Sequence, residues 1–409
     1  MRNSGFSLAL VLALLSGLAV FAAPAASAQG ACPDGQSPPP PMDTSERPAP
    51  GQAAPAPLPV PTEPVGGTRM GECGLVVPAG SPAPPDTTAV SWVIQDLDTG
   101  AVVAAKNPHA RERPASLIKT LLALVAIKDL QPDQVVVATP EDAGQECTCV
   151  GLVAGGSYTV DQLLHGLLMH SGNDVAHALA TALGGVPEAV RKMNDLAASL
   201  GATDTRTATP SGLDGPGMSS SAYDLSLIFH AAMKEKEFAT VVATRAFQFP
   251  AQPVKPAFSI VNDNRLLGAY PGFLGGKTGF TDDARHTYVG GAEQGGTRLA
   301  VVMTRAEQRP IPVVNQAGKL LDYGFALEKT AAQPVGTLLQ PSTSTATNDA
   351  VGSSQVVAGK ANAGGAAKAA GSDPFGLTGW LVTLVVAVLI VIGFVIGISR
   401  KKDSTPPQP

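Results

Sequence analysis

The chain has 409 residues, of which 44% are apolar and 15% charged, with a net charge of −5. That length permits two or three domains, and the apolar share is enough for a sizeable core. A negative balance without the basic patch that marks nucleic-acid binders argues against nucleic acid as a partner.

In chain order, Phe6 to Phe21 is an apolar run that follows Arg2 and precedes Ala26-Ser27-Ala28. This pattern is that of a signal peptide over 1–28, cleaved after about Ala28, with the mature chain folding outside the cell. Residues 29–85 carry 16 prolines, including Pro38 to Pro41. Such a stretch favours extended polyproline conformations and cannot bury a core, so it is expected to be a spacer.

A folded unit is expected over 86–330. Ala89 to Leu97 reads as a strand, Asp98-Thr99-Gly100 as a turn and Ala101 to Ala105 as a second strand, giving a hairpin. Ser116 to Leu130 has apolar residues at helical spacing and starts after Pro114, a helix-start residue. Further helices are expected at Val160–Met169, Asp174–Leu183, Val186–Leu200 and Ala222–Lys234, the last capped by Ser221. Strands follow at Leu274–Phe280, Thr287–Ala292 and Leu299–Thr304, and a closing helix at Gln316–Phe325. The order predicts an α/β (α+β) fold, with a sheet built from both ends of the unit and a helical insertion.

Residues 331–373 are rich in Ala, Gly, Ser and Thr, the composition of a flexible linker. Leu377 to Ile398 is apolar, uncharged and followed by Arg400-Lys401-Lys402. At ~1.5 Å per residue, a helix of that length spans the ~30 Å hydrocarbon core. The basic cluster puts the tail, 399–409, on the cytoplasmic side. The expectation is a single-pass membrane protein with its folded unit on the extracytoplasmic side. Cys32, Cys73, Cys147 and Cys149 suit that oxidising compartment. Three pairings are open. A Cys147–Cys149 bridge would need a tight bend, and a Cys32–Cys73 bridge would staple the N-terminal segment. No histidine stands near Cys147 or Cys149, so no metal site is expected.

Three short motifs carry candidate chemistry. In Ser116-Leu117-Ile118-Lys119 the serine and lysine share one helix face. A neutral Lys119, its pKa lowered by burial and nearby positive charge, would take the proton of the Ser116 hydroxyl. Ser171-Gly172-Asn173 lies between two helices, where Ser171 would relay protons and Asn173 would hold both lysine and substrate. Lys277-Thr278-Gly279-Phe280 lies on a glycine-rich strand that lets a peptide approach and add as an extra strand. There Lys277 and Thr278 would meet a carboxylate. Each motif alone also fits a bland role: a helix start, a helix cap, a turn with a solvated lysine.

Together, in this order, the motifs form the set shared by serine β-lactamases and penicillin-binding proteins. The unit 86–330 resembles the low-molecular-mass penicillin-binding proteins of the D-alanyl-D-alanine carboxypeptidase family, in particular membrane-anchored actinobacterial members. Pro114-Ala115-Ser116, Leu163 to Ala180, Ser211-Gly212-Leu213, Ser221 to Leu225 and Leu320 to Phe325 extend the likeness. The resemblance implies that Ser116 attacks the carbonyl between two terminal D-alanines of a peptidoglycan stem peptide. Lys119 would be the base, Ser171 the proton donor to the leaving amine, and Asn173 the residue that orients Lys119 and substrate. Lys277 and Thr278 would bind the terminal carboxylate, and the N–H groups of Ser116 and Phe280 would form the oxyanion hole. It implies no cofactor or metal, and acylation by β-lactams.

There are departures. No second strand domain follows Phe325, and Asp282 to His286 stand where a glycine is common, with Arg285 read as a surface-loop residue. A β-lactamase would need a Glu-x-x-x-Asn loop, but Glu188 is followed by Lys192. A non-catalytic wall-binding protein would not need all three motifs. His165, His170, His177 and His230 sit in helical patterns and are expected to be packed or exposed, not catalytic.

Overall fold

The computed structural model describes residues 32, 35–252 and 254–338. The expected leader over 1–28, most of the expected linker over 331–373, the apolar run 377–398 and the expected tail 399–409 lie outside the described residues. Among the described residues no helix is long and apolar enough to cross a membrane.

The central feature is a seven-stranded antiparallel sheet. Its strands are β1 (Leu75–Val76), β2 (Ser91–Asp96) and β3 (Ala101–Lys106) from the start of the unit. Between them and the later strands come α1 (Lys119–Asp129), β4 (Val135–Val137), α2 (Pro140–Ala143), β5 (Ser157–Thr159), α3 (Val160–Met169), α4 (Asn173–Ala182) and α5 (Val186–Ser199). They are followed by α6 (Ala222–Ala232), α7 (Lys236–Val242), β6 (Ala246–Phe249) and β7 (Phe258–Val261). The chain then returns with β8 (Phe273–Thr281), β9 (Arg285–Gln294), β10 (Thr297–Ala306), α8 (Val313–Lys329) and β11 (Gly336–Thr337). The sheet runs β1-β3-β2-β10-β9-β8, with β11 also pairing with β3. β2 against β10 is the seam where the two chain ends meet, with Val93 opposite Val302. β8, the strand of the third motif, forms an edge.

The sheet is covered on both faces, which is why β2 and β10 read as near-continuous apolar runs. The two-residue strand period sorts the side chains. Val93, Ala300 and Val302 join the core shared with α1, α3, α4 and α6. Trp92, Ile94, Val301 and Met303 face the other way, onto Leu320, Leu321 and Phe325 of α8. The expected hairpin, insertion and returning strands are all present. The short pairs β4–β5 and β6–β7 were not expected. They are half-buried, with Val135, Val137 and Val261 facing solvent and Val136, Tyr158, Phe249 and Ile260 turned inward, but at three or four residues each they are too short for the alternation to stand out in the sequence.

Three expectations need correction. The helix foreseen from Ser116 is broken: Ala115 sits in the left-handed region at φ 47°, Ala115–Ile118 forms a 3₁₀ turn, and the α-helix begins only at Lys119. The segment before 86 is extended, as its prolines require, but it is not a free spacer. Met70 and Val76 are buried, β1 joins the sheet, and Arg111 reaches the carbonyls of Gln36, Leu58 and Pro59 at 2.7–2.8 Å. Prolines lack N–H groups but keep their carbonyls, and the buried Arg111 of the body uses that of Pro59 beside those of Gln36 and Leu58. The linker, finally, starts later than 331, since β11 still belongs to the sheet. Among the open pairings the structure has Cys32–Cys73 and Cys147–Cys149.

Candidate active site

The three motifs converge in one cleft of about 470 Å³, lined by Ser116, Ser171, Thr278, Gly279 and Phe280 among others. Ser116 stands in the 3₁₀ turn, and Lys119, one turn on, is fully buried. The Lys119 Nζ donates to Ser116 Oγ at 2.8 Å, to Asn173 Oδ1 at 2.8 Å and to the Ser211 carbonyl at 2.5 Å. Burial, and then the charge of Lys277, push the Lys119 ammonium well below the usual lysine range. Three acceptors thus gather around an amine that is easily made neutral, with a hydroxyl among them.

The strain at Ala115 has a visible counterpart. Gly212 lies against the Ala115 carbonyl so closely that a Cβ there would overlap it, and its φ is 85°. The same loop supplies the Ser211 carbonyl. In the sequence Ser211-Gly212-Leu213 stands only as part of the family likeness; a glycine next to a serine carries no sign that a backbone oxygen holds the lysine.

Ser171 is also at positive φ, 62°, in the short connection between α3 and α4, and it lines the cleft. Among the described residues its hydroxyl has no hydrogen-bond partner, which leaves it open to a substrate. Asn173 heads α4. Its Nδ2 donates to the Glu146 carbonyl and its N–H to the Thr148 carbonyl, both at 2.7 Å, which fixes Oδ1 toward Lys119.

On β8, Lys277 and Thr278 point to opposite sides, as strand neighbours must. Lys277 is buried; its Nζ donates to the Thr278 carbonyl at 2.6 Å and lies 4.0 Å from Asp263. Burial lowers its pKa, and Asp263 opposes the shift. Thr278 Oγ1 faces the cleft and donates to Asp263 at 2.9 Å. Gly279 runs past the nucleophile: a Cβ there would stand 2.9 Å from Ser116 N. Because Ser116 begins a helical turn, its N–H is one of the donors that a helix start leaves without an internal partner.

Five of the eight expected residues line the cleft, Lys119, Asn173 and the Lys277 expected to meet a carboxylate are buried behind it, and other residues are added. Thr148, Asp263, Arg265, His286 and Gln308 also line the cleft. None lay in a recognisable motif, and they come from four separate loops or strand ends. His165, His170, His177 and His230 do not line it. Arg285 opens β9 and pairs with Glu307 at 2.9 Å, as a surface residue does. Glu188 sits on α5, paired with Arg191 at 2.6 Å, so it is no base for this cleft.

Among the described residues, one trio brings three metal-type donors together: His109, Asp204 and Asp224. His109 and Asp204 are already engaged in an ion-pair network, while Asp224 accepts from the Asp204 N–H and Thr205 Oγ1 through one oxygen only. His109 Nδ1 meets Asp204 at 2.6 Å, His109 Nε2 meets the Val65 carbonyl, and Arg111 Nε donates to Asp204 at 2.9 Å. The arginine supplies the cation that a metal would bring.

Comparison with known proteins agrees with this geometry. Residues 79–308 match the model of the family described as D-alanyl-D-alanine carboxypeptidase. The chain is 48% identical over 267 residues to the D-alanyl-D-alanine carboxypeptidase DacB2 of Mycobacterium tuberculosis, covering 64% of this chain and 90% of that protein. It is 31% identical to DacF of Bacillus subtilis, covering 59% of this chain and 63% of that protein. A crystal structure of a D-alanyl-D-alanine carboxypeptidase from M. tuberculosis superposes with a TM-score of 0.61 at 47% identity, over 64% of this chain and 99% of that one. A Streptomyces DD-transpeptidase superposes with a TM-score of 0.57 at 29% identity, over 60% of this chain and 100% of that one. The chain belongs to the D-alanyl-D-alanine carboxypeptidase family of serine peptidases.

Proposed function

We propose that the chain removes the terminal D-alanine from peptidoglycan stem pentapeptides through an acyl-enzyme on Ser116. The observation that carries this reading is the linear chain Ser116 Oγ, Lys119 Nζ, Asn173 Oδ1, with 2.8 Å at each link and an amine whose charged form is disfavoured. Neutral Lys119 takes the Ser116 proton as Oγ attacks the carbonyl of the penultimate D-alanine. Charge develops on the carbonyl oxygen, which the N–H groups of Ser116 and Phe280 would receive. Ser171 passes a proton to the departing amine, and D-alanine leaves. Water then attacks the ester and restores the Ser116 hydroxyl.

The substrate ends in a carboxylate. Thr278 offers a hydroxyl to it, while the buried Lys277 acts through its field, both on that carboxylate and on the pKa of Lys119. Arg265 is an exposed cation in the same cleft, placed to meet the carboxylate directly. β-Lactams, which present a strained amide and a carboxylate to the same groups, would acylate Ser116. The leader and the apolar run 377–398 support a cell-envelope location with the cleft outside the membrane.

The test is mass analysis of products from a synthetic pentapeptide ending in D-Ala-D-Ala. Loss of one alanine, abolished by Ser116→Ala, supports the reading. Release of the terminal alanine by Ser116→Ala at the parental rate would overturn it, since removal of the nucleophile costs ~10⁶ in a comparable serine enzyme.

A further inference from the structure

The Cys147–Cys149 bridge spans a single residue, with Cα atoms 4.6 Å apart. It sits in an irregular loop between α2 and β5, and Cys147, Thr148 and Glu146 are exposed. Exposed irregular backbone is ordinarily a poor place from which to hold a catalytic side chain. Yet this loop makes both anchoring contacts to Asn173. The carbonyl just before the bridge, Glu146, accepts from Asn173 Nδ2, and the carbonyl inside it, Thr148, accepts from Asn173 N–H, each at 2.7 Å. The next residues continue the cradle: the N–H groups of Val150, Gly151 and Leu152 donate to the Asp174 carboxylate at 3.1, 2.7 and 2.9 Å. Thr148 itself lines the cleft beside Ser116 and Ser171.

We infer that the Cys147–Cys149 disulfide is a positioning element of the active site, locking the Glu146 and Thr148 carbonyls onto Asn173 and so aiming Asn173 at Lys119, and that opening it slows acylation of Ser116. The inference rests on the proposed function above. The bond closes a small ring that removes most of the freedom of the three residues in it. When it opens, the carbonyls of these two exposed residues are free to exchange Asn173 for water. Asn173 Oδ1, one of three acceptors on Lys119 Nζ, then loses its fixed direction. Chemically, the bridge opens by exchange with a dithiol: one thiolate attacks a sulfur, the second resolves the mixed disulfide, and two cysteine thiols and an oxidised dithiol result. An exposed bridge is open to that attack, so carboxypeptidase action would fall under reducing conditions and recover on oxidation.

The test is made on the full chain carrying Cys32→Ser and Cys73→Ser, so that one bridge remains. Acylation by a fluorescent penicillin is followed in rapid mixing, which separates the binding constant from the acylation rate, and rates are normalised to the fraction of sites titrated. Dithiothreitol opens the bridge in the folded protein, and mass analysis after alkylation counts the open fraction. The open form should acylate about 10- to 100-fold more slowly, since small misplacements cost up to about 100-fold. Penicillin binding should weaken by a smaller factor than acylation slows, and reoxidation should restore both. Cys147→Ser with Cys149→Ser should match the reduced form. If that variant does not fold, the dithiothreitol arm decides, and if the bridge resists dithiothreitol, the variant decides. Acylation within two-fold of the bridged protein overturns the inference, as does a slow rate that reoxidation leaves unchanged. Labelling that survives Ser116→Ala would instead overturn the proposed function, so the two failures are distinct.

Discussion

Replacing Gly279 by alanine adds one methyl group at the closest approach between the substrate strand and the nucleophile. The added Cβ would lie 2.9 Å from Ser116 N and 3.2 Å from Ala115 Cβ, and would overlap Thr287 Oγ1. Optimal separations for such atoms are about 3.5 Å, so relief requires a shift of roughly 0.5 Å from Ser116 N and of about 1 Å from Thr287 Oγ1. Either direction of relief does damage. If β8 backs away, the Phe280 N–H moves off the position a developing oxyanion would occupy. If Thr287 yields, it releases its 2.9 Å hydrogen bond to the Pro114 carbonyl, two residues before the nucleophile. Loss of one oxyanion donor costs about 3 kcal/mol, a roughly 100-fold drop in rate. Overpacking adds a stability cost of about 1–3 kcal/mol. Rapid-mixing acylation with a chromogenic β-lactam measures the first, and urea denaturation the second. Gly291→Ala serves as the control: it lies on β9, where a Cβ would meet Leu97 Cδ1 at 3.1 Å and the Leu299 carbonyl at 3.2 Å, away from Ser116. Gly279→Ala acylating within three-fold of the parent would refute the placement of the oxyanion hole between β8 and the Ser116 turn.

Lys277→Gln removes the positive charge that helps lower the Lys119 pKa. Since the base works in its neutral form, which fills as pH rises through that pKa, the acid limb of the acylation profile should move to higher pH; a limb that stays or moves to lower pH would refute the coupling. Arg265→Ala should raise KM for a peptide ending in a free carboxylate by roughly 10-fold, the worth of a charge-assisted hydrogen bond, with kcat changed much less; equal KM values would remove Arg265 from carboxylate recognition. Glu46→Gln should unfold more easily by roughly 3 kcal/mol in urea, because Arg113 Nε donates to Glu46, the Arg113 side chain is 1% exposed, and a buried charge left without its partner is costly. A change under 1 kcal/mol would mean that the proline-rich segment is not bound as described.

The α+β order, the hairpin, the four insertion helices and the three returning strands were legible along the chain. Their signals are local: short near-continuous apolar runs on β2 and β10, a 3.6-residue period on α3 and α4, a cap such as Ser221 ahead of α6. The three catalytic motifs were legible for a different reason. Chemistry restricts residue type at fixed spacing, so Ser116 and Lys119, or Ser171 and Asn173, stand out even where each alone means little. What the sequence could not show were contacts made by backbone atoms or by isolated residues far apart. The Ser211 carbonyl on Lys119, the Gly212 approach to Ala115 and the Thr148 carbonyl on Asn173 involve groups that every residue carries, so no side-chain pattern announces them. The proline-rich segment shows the same limit, since its composition dictated an extended backbone while the fold supplied Arg111 and Arg113 to bind it. Composition and periodicity are properties of neighbours along the chain. Which carbonyl faces which amine, and how far a lysine is removed from water, depend on segments that meet only when the sheet closes.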